Sequence, residues 1–341
     1  MKLKFAVVGC GSVGLRHIEQ IKRVGILEAI CDCSQEKLDV VLQNENVRTY
    51  LSLNELLSSE KKLDVIAICT PNGLHAKHCI QSFKKGLHVI CEKPLAISVH
   101  DGKQIIESSK KAKRFLFPVK QNRFNPPVVA VKEAIDKKIL GKIYSIQLTC
   151  FWNRNSNYYK TPWKGTLNLD GGILFTQFSH FIDLLYWFFG NIKNVTAITK
   201  NFAHKKEIEF EDTGVVIVDF ENGILGTINY SINSFEKNME GSLTIIAENG
   251  TVKIGGQYLN ELEYQNIKNF QFKNLPLGNA ANNYETYTGS MSNHHKVYEN
   301  VVDVLLNGAV PTTTGDEALK TVEIISKIYS SAKLYANVKS K

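Results

Sequence analysis

The first 24 residues join a strand pattern, a glycine turn and a helix pattern, and this combination constrains the fold more than any other feature. Phe5–Val8 is apolar, and Val13–Val24 has the periodicity of an amphipathic helix. The residues expected to contact a ligand lie in the turn between them and at the start of the helix: Gly9, Gly11, Ser12, Val13 and Gly14. Glycines at this spacing let backbone amides at a helix N-terminus approach a pyrophosphate. The pattern predicts a dinucleotide-binding βαβ unit.

Strand and helix signals continue to alternate as far as about residue 122. The further predicted strands are Glu28–Cys31, Asp64–Cys69, Leu87–Cys91 and Arg114–Val119. The predicted helices between them are Leu53–Leu57, His75–Lys85 and Val99–Ala112. Such alternation indicates a buried parallel sheet with right-handed crossovers. We therefore expect residues 1–122 to form a Rossmann domain of the α/β class.

From residue 123 onward, most strand signals are no longer separated by helices. The predicted strands are Ile143–Trp152, Val195–Thr199, Gly214–Phe220, Gly226–Ile232, Ser242–Ala247 and Thr251–Ile254, with a hairpin turn at Asn249-Gly250. Helices are predicted at Val128–Lys137, Ile173–Phe189, His294–Leu306 and Asp316–Tyr335. This pattern predicts an α+β domain over residues 123–341, built on a large open mixed or antiparallel sheet.

The composition indicates an ordinary globular protein that binds neither nucleic acid nor membranes. The chain has 341 residues, of which 43% are hydrophobic and 22% charged, which suits two soluble domains. The formal charge is +8, but the lysines are scattered and no basic stripe is interleaved with aromatic residues. The apolar segment Phe181–Phe189 is too short to span a bilayer.

The cysteines indicate a reducing, cytoplasmic environment. All seven lie in the first 150 residues, mostly within apolar runs where cysteine behaves as a small hydrophobe. No CxxC pair and no Cys/His metal-binding spacing occurs, so we expect no bound metal.

Candidate cofactor contacts follow the ends of two predicted strands. Asp32 ends the second strand, where a carboxylate accepts ribose hydroxyls and repels a 2′-phosphate, which favours NAD over NADP. A helix-capping role for Asp32 is the alternative. Thr70, Asn72 and His75 follow the strand Asp64–Cys69, where Asn72 can reach the cofactor. A simple strand-ending turn explains the same residues.

The tripeptide Glu92-Lys93-Pro94 follows the predicted strand Leu87–Cys91. Proline disfavours helical geometry at Lys93, which would hold the lysine side chain over the ends of the strands. Open α/β sheets bind their ligands at this edge, so Lys93 can touch a substrate hydroxyl. A plain ion pair between Glu92 and Lys93 is the alternative.

Four motifs occur in the order and at the distances typical of one family. They are Gly9-x-Gly11-x-x-Gly14, Thr70-Pro71-Asn72-x-x-His75, Glu92-Lys93-Pro94 and Ser179-His180-x-x-Asp183. The whole chain resembles the Gfo/Idh/MocA oxidoreductases, NAD(P)-dependent enzymes that act mostly on sugars and cyclitols. The resemblance implies that Lys93 is catalytic and that Glu92, Lys93 and Gln121 contact the cofactor. It also implies an α+β substrate domain.

The family often carries Asp-x-Gly-x-His in its substrate domain, and this chain departs from that pattern. The corresponding residues run from Thr176 to His180, so the histidine is retained and threonine replaces the aspartate. The resemblance therefore implies a catalytic pair of Lys93 and His180 rather than a triad. A core histidine on an apolar helix is the alternative for His180.

A narrower resemblance covers several segments of the second half. These are Trp152-x-Arg154, Tyr158-Tyr159, Pro162–Thr166, Leu169–Gly172, Gln177–Asp183 and His294–Tyr298. They look like the UDP-N-acetylglucosaminuronate 3-dehydrogenases, which supply a 3-keto sugar for bacterial surface polysaccharides. The implied substrate-binding residues are Lys93, Arg123, Arg154, Tyr159, Trp163, Lys164, Thr176, Gln177 and His180. A loop with aromatic anchors packed for stability is the alternative.

The residues around Arg154 also suit such a substrate chemically. Arg154 and Lys164 can meet a carboxylate or a pyrophosphate. Aromatic faces at Tyr158, Tyr159 and Trp163 suit uracil or sugar. The sequence therefore predicts an NAD-dependent dehydrogenase that oxidises a ring hydroxyl of a UDP-sugar, and the narrower resemblance implies that the oxidised carbon is C3.

In the predicted reaction His180 is the acid/base, because the ordinary pKa of histidine lies near neutrality. Lys93 would hydrogen-bond the same oxygen and stabilise its developing charge. The two roles can be exchanged, since a desolvated lysine also acts as a base.

Two other functional classes stay open: a cyclitol or free-sugar dehydrogenase of the same family, and a non-catalytic NAD-binding sensor. The expected partner is a small sugar or nucleotide sugar. A homodimer or homotetramer is also expected, because an open sheet commonly needs a partner to cover its exposed face.

Overall fold

The structure, a computed structural model, describes residues 2–284 and 287–339, with side chains through residue 333. The chain divides into two compact units. The first unit combines Met1–Lys120 with His294–Val322, and the second combines Gln121–Asn293 with Glu323–Lys341. The domain boundary at residue 122 stays a prediction, and these units differ from it in where they assign His294–Val322.

The sheet of the first unit has six strands in the order β3-β2-β1-β4-β5-β6. They are β1 (Lys4–Val8), β2 (Ile26–Cys31), β3 (Arg48–Tyr50), β4 (Val65–Ile68), β5 (His88–Cys91) and β6 (Leu116–Pro118). Every neighbouring pair is parallel. All four residues of β4 are buried apolar side chains, as expected for a strand covered on both faces. The predicted Rossmann sheet is confirmed.

Five helices connect these strands: α1 (Ser12–Val24), α2 (Gln35–Leu42), α3 (Leu53–Ser59), α4 (His75–Lys84) and α5 (Val99–Ala112). Ser52 and Ser98 cap α3 and α5 by accepting a hydrogen bond from the backbone amides of Glu55 and Asp101. Helix α2 and strand β3 are absent from the sequence prediction.

The sheet of the second unit has seven strands in the order β13-β12-β11-β7-β10-β9-β8. They are β7 (Ile143–Phe151), β8 (Ile192–Lys200), β9 (Thr213–Phe220), β10 (Leu225–Ser231), β11 (Glu240–Ala247), β12 (Gly250–Gly255) and β13 (Glu261–Ile267). The pair β7–β10 is parallel and the other pairs are antiparallel. The predicted mixed sheet and its Asn249-Gly250 hairpin are confirmed. The short strands β14 (Ala281–Asn283) and β15 (Thr288–Met291) form a separate pair.

The remaining helices are α6 (Pro126–Asp136), α7 (Ile173–Thr176), α8 (Ser179–Phe189), α9 (His294–Asn307) and α10 (Gly315–Lys339). The prediction of one continuous helix over Ile173–Phe189 is wrong in detail. The backbone of Phe178, with φ −111° and ψ 7°, leaves the helical region and separates α7 from α8. None of the described helices is long and apolar enough to cross a bilayer.

The two faces of the large sheet differ in burial. Along β9 the side chains of Val216 and Val218 are buried, whereas Val215 and Ile217 between them are exposed. Helix α8 packs on the buried face, where Phe181 lies against Gly241 of β11. The opposite face therefore presents apolar side chains to solvent.

The second unit also buries a carboxyl group. Oε1 of Glu211 accepts hydrogen bonds from the hydroxyls of Tyr329 at 2.8 Å and Tyr230 at 3.4 Å. Burial nevertheless raises the pKa of Glu211 to about 8. This side chain is therefore mostly protonated at neutral pH.

Candidate active site

The glycine turn between β1 and α1 is shaped by close backbone contacts. Gly9 has φ +95°, and a Cβ there would lie 2.5 Å from the carbonyl oxygen of Cys69. A Cβ at Gly14 would lie 1.9 Å from the carbonyl oxygen of Gly9. Packing therefore requires glycine at both positions.

Gly11 differs from the other two glycines. A Cβ at Gly11 would meet no described atom within 4 Å, so packing does not require glycine there. The position immediately precedes α1, whose first turn carries no acidic residue. A glycine here keeps an open cradle of backbone amides at a helix N-terminus, and this cradle fits a dinucleotide pyrophosphate.

Asp32 lies beside this turn at the end of β2. Its Oδ2 accepts a hydrogen bond from the Cys10 amide at 2.8 Å, and its Oδ1 accepts one from the Ser34 amide at 2.9 Å. The ammonium of Lys37 is 3.8 Å from Oδ1. The carboxylate thus braces the glycine turn at the edge where a cofactor ribose is expected.

The candidate cofactor-binding residues after β4 are buried or form hydrogen bonds with neighbouring residues. The ring nitrogens of His75 contact two carbonyl oxygens, Nδ1 that of Pro94 at 2.7 Å and Nε2 that of Thr70 at 2.9 Å. Thr70 Oγ1 is also 3.0 Å from Nδ1 of His78. Asn72 is buried in a short 3₁₀ turn. The His75 ring therefore joins the segments that follow β4 and β5, and direct cofactor contacts by these residues stay predictions.

Lys93 follows β5 at the carboxyl edge of the sheet, as predicted, and its side chain is half-buried. The peptide bond from Lys93 to Pro94 is cis. Oε2 of the preceding Glu92 accepts a hydrogen bond from the Lys93 amide at 3.0 Å.

Three further residues, with Glu92, form what we call the Glu92 cluster: His17 of α1 and His294 and Tyr298 of α9. Oε1 of Glu92 is 2.8 Å from Nε2 of His17 and 3.2 Å from Nε2 of His294. The hydroxyl of Tyr298 is 2.7 Å from Nδ1 of His17. All four side chains are buried. The helix α9 thus completes a polar network that is hydrogen-bonded to the Lys93 amide of the first unit.

The pKa shifts of Glu92 and His17 reflect both burial and the hydrogen bonds in this cluster. Burial opposes charge on Glu92, yet the bonds from His17 and His294 hold its pKa well below the ordinary value. Burial lowers the pKa of His17 and favours its neutral ring, although the Glu92 carboxylate opposes this shift. Two histidines and a carboxylate can also ligate a metal, and these ligand atoms lie within 4.8 Å of one another. The separations of 2.8 and 3.2 Å are hydrogen-bond distances, so we interpret the cluster as a hydrogen-bonded network.

In the second unit, Arg154 lies just beyond β7 and is held by backbone and side-chain contacts. Its amide donates to the carbonyl of Ile232, and its carbonyl accepts a hydrogen bond from Nε2 of His204. The guanidinium Nε donates to Oε1 of Gln177 at 2.7 Å, and Nη1 contacts Oδ1 of Asn238 at 3.2 Å. Arg154 is only 2% exposed.

Aromatic rings surround this arginine and a second cation. The guanidinium carbon of Arg154 lies 5.0–5.3 Å from the ring centroids of Trp152 and Tyr158, and 4.9 Å from that of Tyr287. The Lys164 ammonium lies 3.6 Å from the centroid of Tyr158 and 5.1 Å from that of Tyr287. Burial and the neighbouring Arg154 lower the pKa of Lys164 to about 8, although Asp170 opposes this shift.

The charge of Arg154 is not neutralised within the described residues. None of their carboxylates lies within 4.0 Å of its guanidinium, and burial lowers the pKa of Arg154. A cavity of about 240 Å³ opens beside it. The lining residues include Asn153, Arg154, Tyr158, Lys237, Asn238 and Tyr287.

Two other predicted substrate residues, Gln177 and Tyr159, contact side chains that line this cavity. Gln177 bridges Arg154 and Tyr158, because its Nε2 donates to the Tyr158 hydroxyl at 2.6 Å. Tyr159 is buried, and its ring centroid lies 5.0 Å from that of Tyr158 in an edge-to-face arrangement. Trp163 is half-buried, and its carbonyl accepts a hydrogen bond from Thr166. The structure therefore brings Tyr159, Lys164 and Gln177 together with Arg154.

The remaining predicted residues of the second unit are buried, and partners of Arg123, Gln121 and Thr176 are defined. Arg123 forms a buried bidentate ion pair with Asp183, with N···O distances of 2.8 and 2.9 Å. Gln121 donates to Ser290 Oγ at 3.1 Å. Thr176 donates to a carboxylate oxygen of Asp170. His180 is buried in the first turn of α8. Substrate or cofactor contacts by these residues stay predictions.

Sequence reasoning assigned no role to His17, Tyr298, Asn238 or Tyr287. The only local signal for His17 is a histidine on the mostly apolar buried face of α1, which also carries Gln20. Asn238 and Tyr287 come from segments distant in sequence from Arg154, so no spacing rule points to them.

Comparison with protein families matches most of the chain. Residues 3–119 match the oxidoreductase family with an NAD-binding Rossmann fold, and residues 128–253 match the GFO/IDH/MocA C-terminal domain. Among curated proteins, myo-inositol 2-dehydrogenase of Thermotoga maritima is 27% identical over 67% of this chain and 68% of its own length. The D-apiose dehydrogenase of Paraburkholderia graminis is 24% identical over 97% and 88%.

Two solved structures are similar over nearly the whole chain. The WlbA dehydrogenase of Chromobacterium violaceum, in complex with NADH and UDP-GlcNAcA, is 33% identical with a TM-score of 0.87, covering 97% of this chain and 94% of that one. The WlbA dehydrogenase of Bordetella pertussis, with the same two ligands, is also 33% identical with a TM-score of 0.87, covering 98% and 97%.

The Rossmann sheet, the glycine cradle and the family matches define an NAD-dependent oxidoreductase of the sugar-dehydrogenase type. The chain belongs to the Gfo/Idh/MocA family.

Proposed function

We propose that the protein oxidises a ring hydroxyl, at C3, of a UDP-sugar that carries a carboxylate, such as UDP-N-acetylglucosaminuronate. The oxidised sugar would serve bacterial surface polysaccharide synthesis. The observation that carries this proposal is the buried Arg154 beside a cavity, with Lys164 nearby and no carboxylate partner among the described residues.

A buried charge is costly unless it is paired, and buried cations in proteins normally have a carboxylate or another anion beside them. Arg154 and Lys164 share the rings of Tyr158 and Tyr287, so two positive charges lie in one half-enclosed region. An anionic ligand would supply the missing charge through charge-assisted hydrogen bonds. The tyrosine faces would pack on uracil or on the sugar.

Lys93 and His180 are the proposed catalytic residues. The glycine turn and Asp32 would hold NAD, which would supply the hydride acceptor for the ring carbon. The ammonium of Lys93 would hydrogen-bond the reacting hydroxyl and stabilise negative charge on its oxygen. His180 would accept the hydroxyl proton. An exchange of these two roles is the alternative within the same reaction.

Similar proteins support the proposal and also define its competitor. Both WlbA structures were solved with UDP-GlcNAcA and share 33% identity with this chain. The curated relatives named for inositol and apiose favour a cyclitol or free-sugar dehydrogenase as the second candidate. Such substrates lack an anionic group, so they would leave the Arg154 charge unpaired.

The test is NADH formation by the purified protein with UDP-N-acetylglucosaminuronate, UDP-N-acetylglucosamine, myo-inositol and apiose. We expect turnover of the uronate. Arg154→Met should raise KM for it by roughly 10- to 100-fold, the effect of losing one charge-assisted contact. Lys160→Met, an exposed cation in the same loop, is the control and should keep the wild-type KM. Turnover of inositol or apiose without the uronate would establish the second candidate instead.

We also propose that the open face of the large sheet forms a homo-oligomer contact, giving a dimer or tetramer. Ile198, Val215, Ile217 and Leu225 are exposed there, and Ile198 pairs directly with Val215. Ordinary monomers rarely expose a contiguous apolar patch of this kind. Light scattering should give a dimeric or tetrameric mass for wild type and a lower mass for Ile217→Glu. A monomeric wild type would refute the assembly.

A further inference from the structure

We propose that His17 and His294 are positioning residues that hold the Glu92 carboxylate against the backbone of Lys93 and thereby set the place of the catalytic lysine. This inference rests on the proposed role of Lys93. It assigns a function to the cluster that α9 completes, whose histidines sequence reasoning left without a role.

The contacts fix both oxygens of the carboxylate. Oε1 of Glu92 accepts hydrogen bonds from Nε2 of His17 and Nε2 of His294, and Oε2 accepts the amide hydrogen of Lys93. The two imidazoles come from different helices, α1 and α9. A carboxylate held from two sides cannot rotate freely, so the Lys93 amide meets an acceptor of fixed position.

The Glu92 carboxylate determines which nitrogen of His17 carries the proton, and Tyr298 occupies the other nitrogen. Its hydroxyl lies 2.7 Å from Nδ1 of His17, while Nε2 faces the Glu92 carboxylate. The carboxylate only accepts hydrogen bonds, so Nε2 must donate and Nδ1 must accept from Tyr298. A hydrogen bond on one ring nitrogen that fixes the role of the other is a common way to orient histidine. The network is therefore directed from Tyr298 through His17 to Glu92.

A role in positioning predicts an effect on the chemical step. Displacement of a catalytic group by about 1 Å can reduce the rate roughly 100-fold, because the reacting atoms must be held in near-attack geometry. The cluster lies beneath Lys93 and is buried, whereas the glycine turn and Asp32 carry the expected cofactor contacts. Disturbing the cluster should therefore lower kcat and leave NAD affinity close to normal.

His294 is the better histidine to change, because it makes one contact to Glu92 while His17 bridges two partners. His294→Phe keeps an aromatic ring and removes the donor. His294→Gln keeps a side-chain N–H donor. His295→Phe is the matched control, since His295 is the next residue of α9 and makes no hydrogen bond to the cluster within the part of the chain that the structure describes.

Steady-state kinetics should show kcat reduced at least about 10-fold in His294→Phe, with KM for the sugar and the dissociation constant of NAD changed less than about threefold. His294→Gln should recover most of the rate, and His295→Phe should match wild type. A kcat within twofold of wild type in His294→Phe would overturn the inference. Parallel loss of kcat, NAD affinity and melting temperature, without recovery by glutamine, would also overturn it, because that result describes a purely structural histidine.

A second measurement separates this inference from the proposed function. Hydrogen exchange of the free protein reports the Lys93 amide directly, since Glu92 is its acceptor. We expect faster exchange at Lys93 in His294→Phe, near-normal exchange in His294→Gln and no change in His295→Phe. Unchanged exchange in His294→Phe would overturn the inference whether or not a substrate is known. If the three variants show the expected exchange at Lys93 but the protein turns over no sugar, the positioning role stands and the proposed function is refuted.

Discussion

The lowered pKa of Lys164 leads to a specific prediction about substrate affinity and pH. Its ammonium lies against Tyr158 and near Arg154, and the pKa of Lys164 falls to about 8. If Lys164 binds the substrate anion, only its protonated form contributes to binding. Protonation is then lost as pH rises through about 8, so substrate capture weakens on the alkaline side.

The size of the effect follows from this pKa. In the free enzyme, Lys164 is roughly 90% protonated at about pH 7 and roughly 10% protonated at about pH 9. The pH dependence of kcat/KM reports ionisations of the free enzyme. We therefore expect the contribution of Lys164 to kcat/KM for UDP-N-acetylglucosaminuronate to fall by about 10-fold over this interval.

The assay compares wild type with Lys164→Arg, whose guanidinium stays charged throughout. The ratio of their kcat/KM values removes every other ionisation that both proteins share, including that of the catalytic base. The ratio of wild type to variant should fall about 10-fold as pH rises from about 7 to about 9. A ratio constant within twofold would show that Lys164 does not contact the anion.

Three further predictions concern the cofactor, the catalytic pair and stability. Wild type should have a higher kcat/KM with NAD than with NADP, and Asp32→Ala should lose much of this preference, because the carboxylate that repels a 2′-phosphate is gone. Lys93→Ala and His180→Ala should each reduce kcat by roughly 10²–10⁴ in steady-state assays, with near-normal NAD binding by fluorescence titration and a double-variant effect smaller than the product of the two. The pKa of Glu211 is raised to about 8, so its contribution to stability is present below its ordinary pKa and lost as pH rises through about 8. Urea unfolding should therefore show wild type losing up to roughly 4 kcal/mol relative to Glu211→Gln between about pH 5 and about pH 9.

Each of these three predictions would be refuted by a specific experimental result. A wild-type preference for NADP would refute the role of Asp32. Near wild-type kcat in His180→Ala would make His180 a core residue, and activity in Lys93→Ala would remove the basis of the proposed mechanism. Equal pH dependence of unfolding in wild type and Glu211→Gln would show that this carboxyl group titrates normally.

The parallel sheet could be predicted because its signals are local. An apolar run such as Val65–Ile68 between turn residues identifies a buried strand without reference to the rest of the chain. The strand Arg48–Tyr50 carries no such signal, since it has three residues and two of them are polar. Its pairing with β2 comes from tertiary structure.

Residues of the candidate site could be predicted from the sequence pattern only where they follow the end of a strand. Asp32 is the first residue after β2 and Lys93 the second after β5, so topology alone places them at the carboxyl edge of the sheet. The contact of Glu92 with His294 joins residues about 200 positions apart, which no spacing pattern reports. The resemblance to a family identified Arg154, and only the structure shows that Asn238 and Gln177 hold it.

The return of His294–Val322 to the first unit has a consequence for synthesis on the ribosome. The strands β1–β6 emerge early, yet His17 and Glu92 lack two of their partners until α9 is made. Domains usually fold as units in the order of synthesis, with the N-terminal one first. Here the first unit is complete only once residues 294–322 have been synthesised, so a nascent chain that stops before residue 294 would lack the partners of His17 and Glu92 next to Lys93.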